Sequence, residues 1–131
     1  MNSQVVLVLS NHANRDLVQT LSRAGFDPQV WGSMRHSLDK LHQQKFAAVI
    51  VDRKFTHADA LEFILNVRDI NQKIPVVVIG SEKDEQMDKE IMRQNRTIIL
   101  NGADGKDISA ETLERAIKMN ENENVQQYSH K

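Results

Sequence analysis

A chain of 131 residues is the size of one domain, long enough to bury a single core and too short for two. Seventeen Lys and Arg against eighteen Asp and Glu leave a net charge of −1 with no basic stripe, which argues against direct nucleic-acid binding. The absence of cysteine removes disulfides and thiolate metal sites, and the apolar stretch within MNSQVVLVLSNHANRD is too short for a signal peptide or membrane span, so a cytoplasmic setting is expected.

The first apolar run, Val5 to Leu9, is continuous rather than alternating, the pattern of a strand buried on both faces. Ser10 and Asn11 follow it, and Asn11 or Asn14 is placed to cap a helix whose inward stripe is Leu17, Leu21 and Ala24. Gly25 and Pro28 punctuate that helix, and a weaker strand is predicted from Gln29 to Trp31. Met34, Leu38 and Leu41 mark a second helix, Ala47 to Val51 a strand ending at Asp52, and Leu61, Ile64 and Val67 a third helix. Val76 to Ile79 is the next strand, followed by Gly80 and Ser81. A polar fourth helix, roughly Lys83 to Gln94, has Met87 and Ile91 as its anchors and should be the least firmly packed. A fifth strand, Ile98 to Leu100, leads to Asn101, and a fifth helix is capped by Ser109 and carries Leu113, Ala116 and Ile117 on one face. From Asn120 periodicity is lost, so residues 1–119 are expected as the domain and 120–131 as a polar tail or linker.

Strand and helix thus alternate five times, which gives an α/β, doubly wound, five-stranded parallel sheet with helices on both faces. Function in such sheets gathers at the carboxyl ends of the strands. The residues to inspect are therefore Ser10, Asn11, Asp52, Gly80, Ser81 and Asn101.

Between Gly25 and about Asp84, GFDPQVWGSMRHSLDKLHQQKFAAVIVD and the following DRKFTHADALEFILNVRDINQKIPVVVIGS resemble a response-regulator receiver (CheY-like) domain segment by segment. That resemblance implies the flavodoxin-like strand order 2-1-3-4-5 with five helices and puts Asp52 at the phosphoacceptor position. It also implies a degraded pocket. Ser10 and Asn11 stand where receivers carry the acidic pair that holds Mg²⁺. Gly80 stands where a Thr or Ser is usual, with Ser81 able to substitute only if the register slips, Asn101 stands in place of the Lys, and Ile98 in place of the aromatic switch residue. Any Mg²⁺ site at Asp52 should be weak, and no other cofactor is expected. Arg53, Lys54, Arg15 and Lys106 are candidates to fold over Asp52 as an internal counter-ion.

The plainer reading of Asp52 is a strand-end Asp that caps a turn. His12, His36, His42, His57 and His130 share no metal-ligand spacing, Trp31 reads as a packing residue at the sheet edge, and the charge run EKDEQMDKE reads as a solvated helix face. No glycine-rich phosphate loop or G-x-S-x-G elbow is present, and no enzyme activity is expected. The leading expectation is an atypical receiver acting by protein contacts, with a histidine kinase, an output domain or a second copy as partner. By the resemblance, its partner surface would draw on Met87, Ile91, Ile98, Leu113 and Ile117. The alternatives are phosphoryl transfer to Asp52 from a histidine kinase, and a small flavodoxin-like ligand binder using the same crevice.

Overall fold

The computed structural model of the chain describes residues 4–11, 14–56, 59–80, 84–100 and 108–122, with side chains up to residue 118. Five strands, β1 (Gln4–Leu9), β2 (Phe26–Trp31), β3 (Ala48–Asp52), β4 (Val76–Ile79) and β5 (Thr97–Leu100), form one parallel sheet in the order 2-1-3-4-5. Around it lie α1 (Arg15–Arg23), α2 (Met34–Gln43), the single turn α3 (Arg53–Thr56), α4 (Ala60–Ile70), α5 (Glu85–Met92) and α6 (Ala110–Asn122). The fold class and strand order are those expected from the sequence, with one helical turn, α3, in addition.

Continuous apolar strands arise because both faces of the sheet are covered. Val6, Val8, Ile50, Val77 and Ile79 point to a core shared with Leu17 and Leu21 of α1 and Leu113, Ala116 and Ile117 of α6. Leu7, Leu9, Val49, Val51, Val76 and Val78 point the other way, to Leu41, Phe63, Ile64, Val67 and Ile91. Successive residues of a strand face opposite sides, so an uninterrupted Val/Ile/Leu run is what a two-sided sheet demands.

Three expectations need correction. β2 starts at Phe26, three residues earlier than predicted, and Pro28 lies inside it rather than closing α1. This works because β2 is an edge strand paired only with β1, where a residue lacking an N–H can be tolerated. α6 runs to Asn122, past the predicted domain end at residue 119. Met87, Ile91, Ile98, Leu113 and Ile117 do not form a partner surface: Ile91, Leu113 and Ile117 are buried in the two cores, and Met87 and Ile98 pack against them half-buried.

Local signals explain the helix boundaries. Asn14 caps α1 by accepting the Leu17 N–H at 3.2 Å, and Gly25, two residues past the end of α1, has a φ of 95° that favours a residue without a Cβ. Ser109 Oγ accepts the Thr112 N–H at 3.1 Å at the start of α6, as expected. Arg68, on α4, donates to the carbonyls of Asn71, Ile74, Asn95 and Arg96 and to Thr97 Oγ1, which ties α4 to the turn before β5. Burial, reinforced by the charge of Arg96, lowers its pKa from the usual 12.5 to about 10, so it stays cationic at neutral pH.

Candidate functional site: a closed pocket around Asp52

Asp52 is the last residue of β3, the third strand in chain order and the central one of the sheet, and only 5% of its surface is exposed. Burial of this kind requires hydrogen bonds, because a bare carboxylate in such a place would lose its hydration without compensation. Three are present. Ser10 Oγ donates to Oδ2 at 2.6 Å, Asn14 Nδ2 donates to the same oxygen at 3.0 Å, and the Lys54 N–H donates to Oδ1 at 3.1 Å. The last bond closes the α3 turn, so the plainer reading of Asp52 as a turn-capping residue also holds.

Each donor is delivered by an element the sequence specifies. Ser10 is held by its own N–H, which donates to the Trp31 carbonyl at 3.2 Å and continues the β1–β2 ladder one residue beyond the strand. Asn14 serves twice: its Oδ1 caps α1 and its Nδ2 reaches Asp52. Sequence reasoning had Asn14 only as a cap; its closeness to Asp52 follows from a short β1–α1 loop, fixed in part by the Asn14 N–H donating to the Asn11 carbonyl at 2.9 Å. Asn11 itself is exposed.

Gly80 follows β4 directly with φ at 91°, and its N–H donates to the Leu100 carbonyl at 2.7 Å. A Thr at that position would be strained, which gives a backbone reason for the missing hydroxyl. Ser81, Asn101, Lys106, His12, His57 and His130 lie outside the described residues.

The expected counter-ion is not Arg53. Its side chain turns away from Asp52, is fully buried, and donates from Nη1 to Oδ1 of Asp88 on α5. Arg15 is exposed at the start of α1, and Lys54 contributes its backbone N–H while its side chain is exposed. Asp88 belongs to the charge run read as a solvated face, and it is the residue that sequence reasoning missed. A fully buried Arg needs an acidic partner, but nothing in sequence spacing says which of the several acids in that run supplies it.

His36 and His42 are exposed on α2. Trp31 packs half-buried at the sheet edge with Lys40 Nζ 5.2 Å from its ring centre, as its reading as a packing residue required.

The donor set is a poor fit to Mg²⁺, a hard cation that wants anionic oxygens. Ser10 and Asn14 present protons to the oxygen a cation would share, and among the described residues no three His, Cys, Asp or Glu side chains come together as a metal cluster. Ser10→Ala is expected to lower the unfolding free energy by about 1.5 kcal/mol, the usual worth of a hydrogen bond to a charged acceptor, as read by urea denaturation. A groove of about 410 Å³ between Leu41, Phe46, Ile70 and Ile74 lies at the opposite, amino-terminal edge of the sheet.

Comparison with known proteins was made on sequence and on structure. The profile of the family described as "Orn/Lys/Arg decarboxylase, N-terminal domain" matches residues 9–119. No curated protein sequence matches. Similar solved structures include the chemotaxis response regulator CheY4 of Vibrio cholerae, at 22% identity and a TM-score of 0.69, covering 92% of this chain and 99% of that one. A response regulator receiver protein from Sinorhizobium medicae WSM419 has 22% identity and a TM-score of 0.70, covering 93% and 97%. The signal receiver domain of a modulated diguanylate cyclase from Desulfovibrio desulfuricans G20 has 22% identity and a TM-score of 0.74, covering 92% and 94%. At these identities the likeness is one of fold.

Proposed function

Since the chain belongs to the Orn/Lys/Arg decarboxylase N-terminal domain family and has the fold of receiver domains, we propose that it is a non-catalytic, receiver-like regulatory module that acts through protein contacts. The observation that carries this is the closed state of Asp52: both carboxylate oxygens already accept hydrogen bonds, and the donors on Oδ2 are neutral side chains rather than metal-holding carboxylates. Acyl-phosphate chemistry would need an accessible Asp oxygen in line with the donor and positive charge on the equatorial oxygens. Asp52 in this reading is a retained structural residue of the fold, and no metal or other cofactor takes part. Among the described residues no helix is long and apolar enough to cross a membrane.

The partner in this reading is a protein, either an output domain or a histidine kinase. The family's name favours a second reading, in which the partner is the catalytic part of a basic amino-acid decarboxylase and the module contributes to its assembly.

The discriminating experiment exposes the chain to acetyl phosphate, or to beryllofluoride, each with Mg²⁺, and follows intact mass and the amide shifts of Ser10, Asn14 and Lys54. No added phosphoryl mass and no shift is the expected result. A mass gain that disappears in Asp52→Asn would instead establish the phosphoacceptor reading and defeat the closed-pocket one.

A further inference from the structure

The groove of about 410 Å³ at the amino-terminal edge of the sheet lies between the C-terminal ends of α2 and α4, away from Asp52. Its floor is apolar: Leu41 and Ile74 are buried, while Phe46 and Ile70 are half-buried and leave part of their surface to solvent. Its rim is made of donors. His42 and Lys45 are exposed on one side. On the other, Asn71 accepts the Lys73 and Ile74 N–H groups with its Oδ1, which leaves its Nδ2 to donate. The acids of the flanking helices, Asp39 on α2 and Glu62 and Asp69 on α4, do not line the groove.

Charge behind the floor has the same sign. Arg68 is cationic, and its partners among the described residues are four backbone carbonyls and the Thr97 hydroxyl, so it meets no carboxylate. Two of those carbonyls belong to Asn71 and Ile74, which sets the guanidinium against the wall of the groove. Its bond to the Asn71 carbonyl also offsets the negative end of α4, as Lys40 and His42 do in the last turn of α2. Lys73 is exposed nearby, and neither it nor Lys45 has a carboxylate partner among the described residues. An apolar floor beneath uncompensated positive charge complements a ligand with an apolar body and carboxylates beside it.

We infer that this groove is the docking site for a short acidic segment of a partner protein. The segment seats an apolar side chain between Leu41, Phe46, Ile70 and Ile74 and sets its carboxylates against Lys45 and Asn71. The inference rests on the reading that the domain works through protein contacts, and it puts that contact at the end of the sheet away from Asp52.

The test is titration of the ¹⁵N-labelled full chain with the blocked hexapeptide Glu-Glu-Leu-Phe-Glu-Glu, followed by amide shifts. Saturable shifts confined to residues 41–46 and 70–74 are expected. Raising the salt from about 0.02 M to about 0.2 M should weaken binding several-fold, because the rim charges are open to screening. Lys45→Glu should weaken it about tenfold while the spectrum stays that of the folded domain, whereas Arg35→Glu, an exposed charge at the other end of α2, should leave it unchanged. Lys-Lys-Leu-Phe-Lys-Lys should produce no shifts in the groove. The inference is overturned by the absence of saturable shifts there, by shifts centred elsewhere, by equal binding of the two peptides, or by undiminished binding to Lys45→Glu. Shifts at the same residues on raising the protein concentration alone would make the occupant a second copy and overturn it as well. None of these results decides the protein-contact reading, which fails instead on a phosphoryl mass gain at Asp52.

Discussion

Asp88→Ala is expected to lower the unfolding free energy by about 3 kcal/mol in urea titration, one of the largest losses for a residue outside the apolar core. The reason is asymmetry between the two partners. Removing Asp88 strands the Arg53 guanidinium, which is 0% exposed and already has Nε and Nη2 unmet among the described residues. Removing the cation instead leaves an Asp that is 31% exposed and can be rehydrated in place. Arg53→Met, which fills most of the same volume without a charge, should therefore cost only about 1 kcal/mol. Equal losses in the two variants would mean that the pair stabilises by attraction alone, with no penalty for the buried cation.

Ser10→Asp should destabilise the chain by about 3 kcal/mol in EDTA and regain part of that loss in millimolar Mg²⁺. The substitution removes the 2.6 Å hydrogen bond to Asp52 and sets a second carboxylate against one that is 5% exposed. Two like charges in a site of low polarity cannot both ionise freely, so one is driven toward its protonated form. A divalent cation reverses the sign of that interaction by bridging the two carboxylates. Thermal melts with and without Mg²⁺ read both effects at once. A variant as stable as the parent in EDTA would show that the Ser10–Asp52 bond contributes little and that the pocket opens readily to water.

What the sequence determined by itself was the frame. Strand runs such as Val5 to Leu9 and Val76 to Ile79 have apolar residues at consecutive positions, which only a sheet covered on both faces can bury, and that condition put Asp52 at a strand end, while the order 2-1-3-4-5 came from the resemblance to receiver domains. That Ser10 stands where receivers carry an acidic residue was legible only through the resemblance, since the apolar pattern places a strand end there and says nothing of which side chain a family keeps. Caps at Asn14 and Ser109 were legible because they are local, spanning three residues.

Tertiary structure decided the rest. Periodicity shows that Ile91, Leu113 and Ile117 share an apolar face with their neighbours, but an inward face and a partner-binding face have the same spacing, and only packing against the sheet tells them apart. Arg53 next to Asp52 looked like its counter-ion, yet a side chain's direction depends on the turn it sits in, and α3 sends it to a residue 35 positions away on α5. Asn14's second bond, Asp88's pairing and the positive φ of Gly80 are likewise products of distant segments meeting, which residue types and spacings along one chain do not encode.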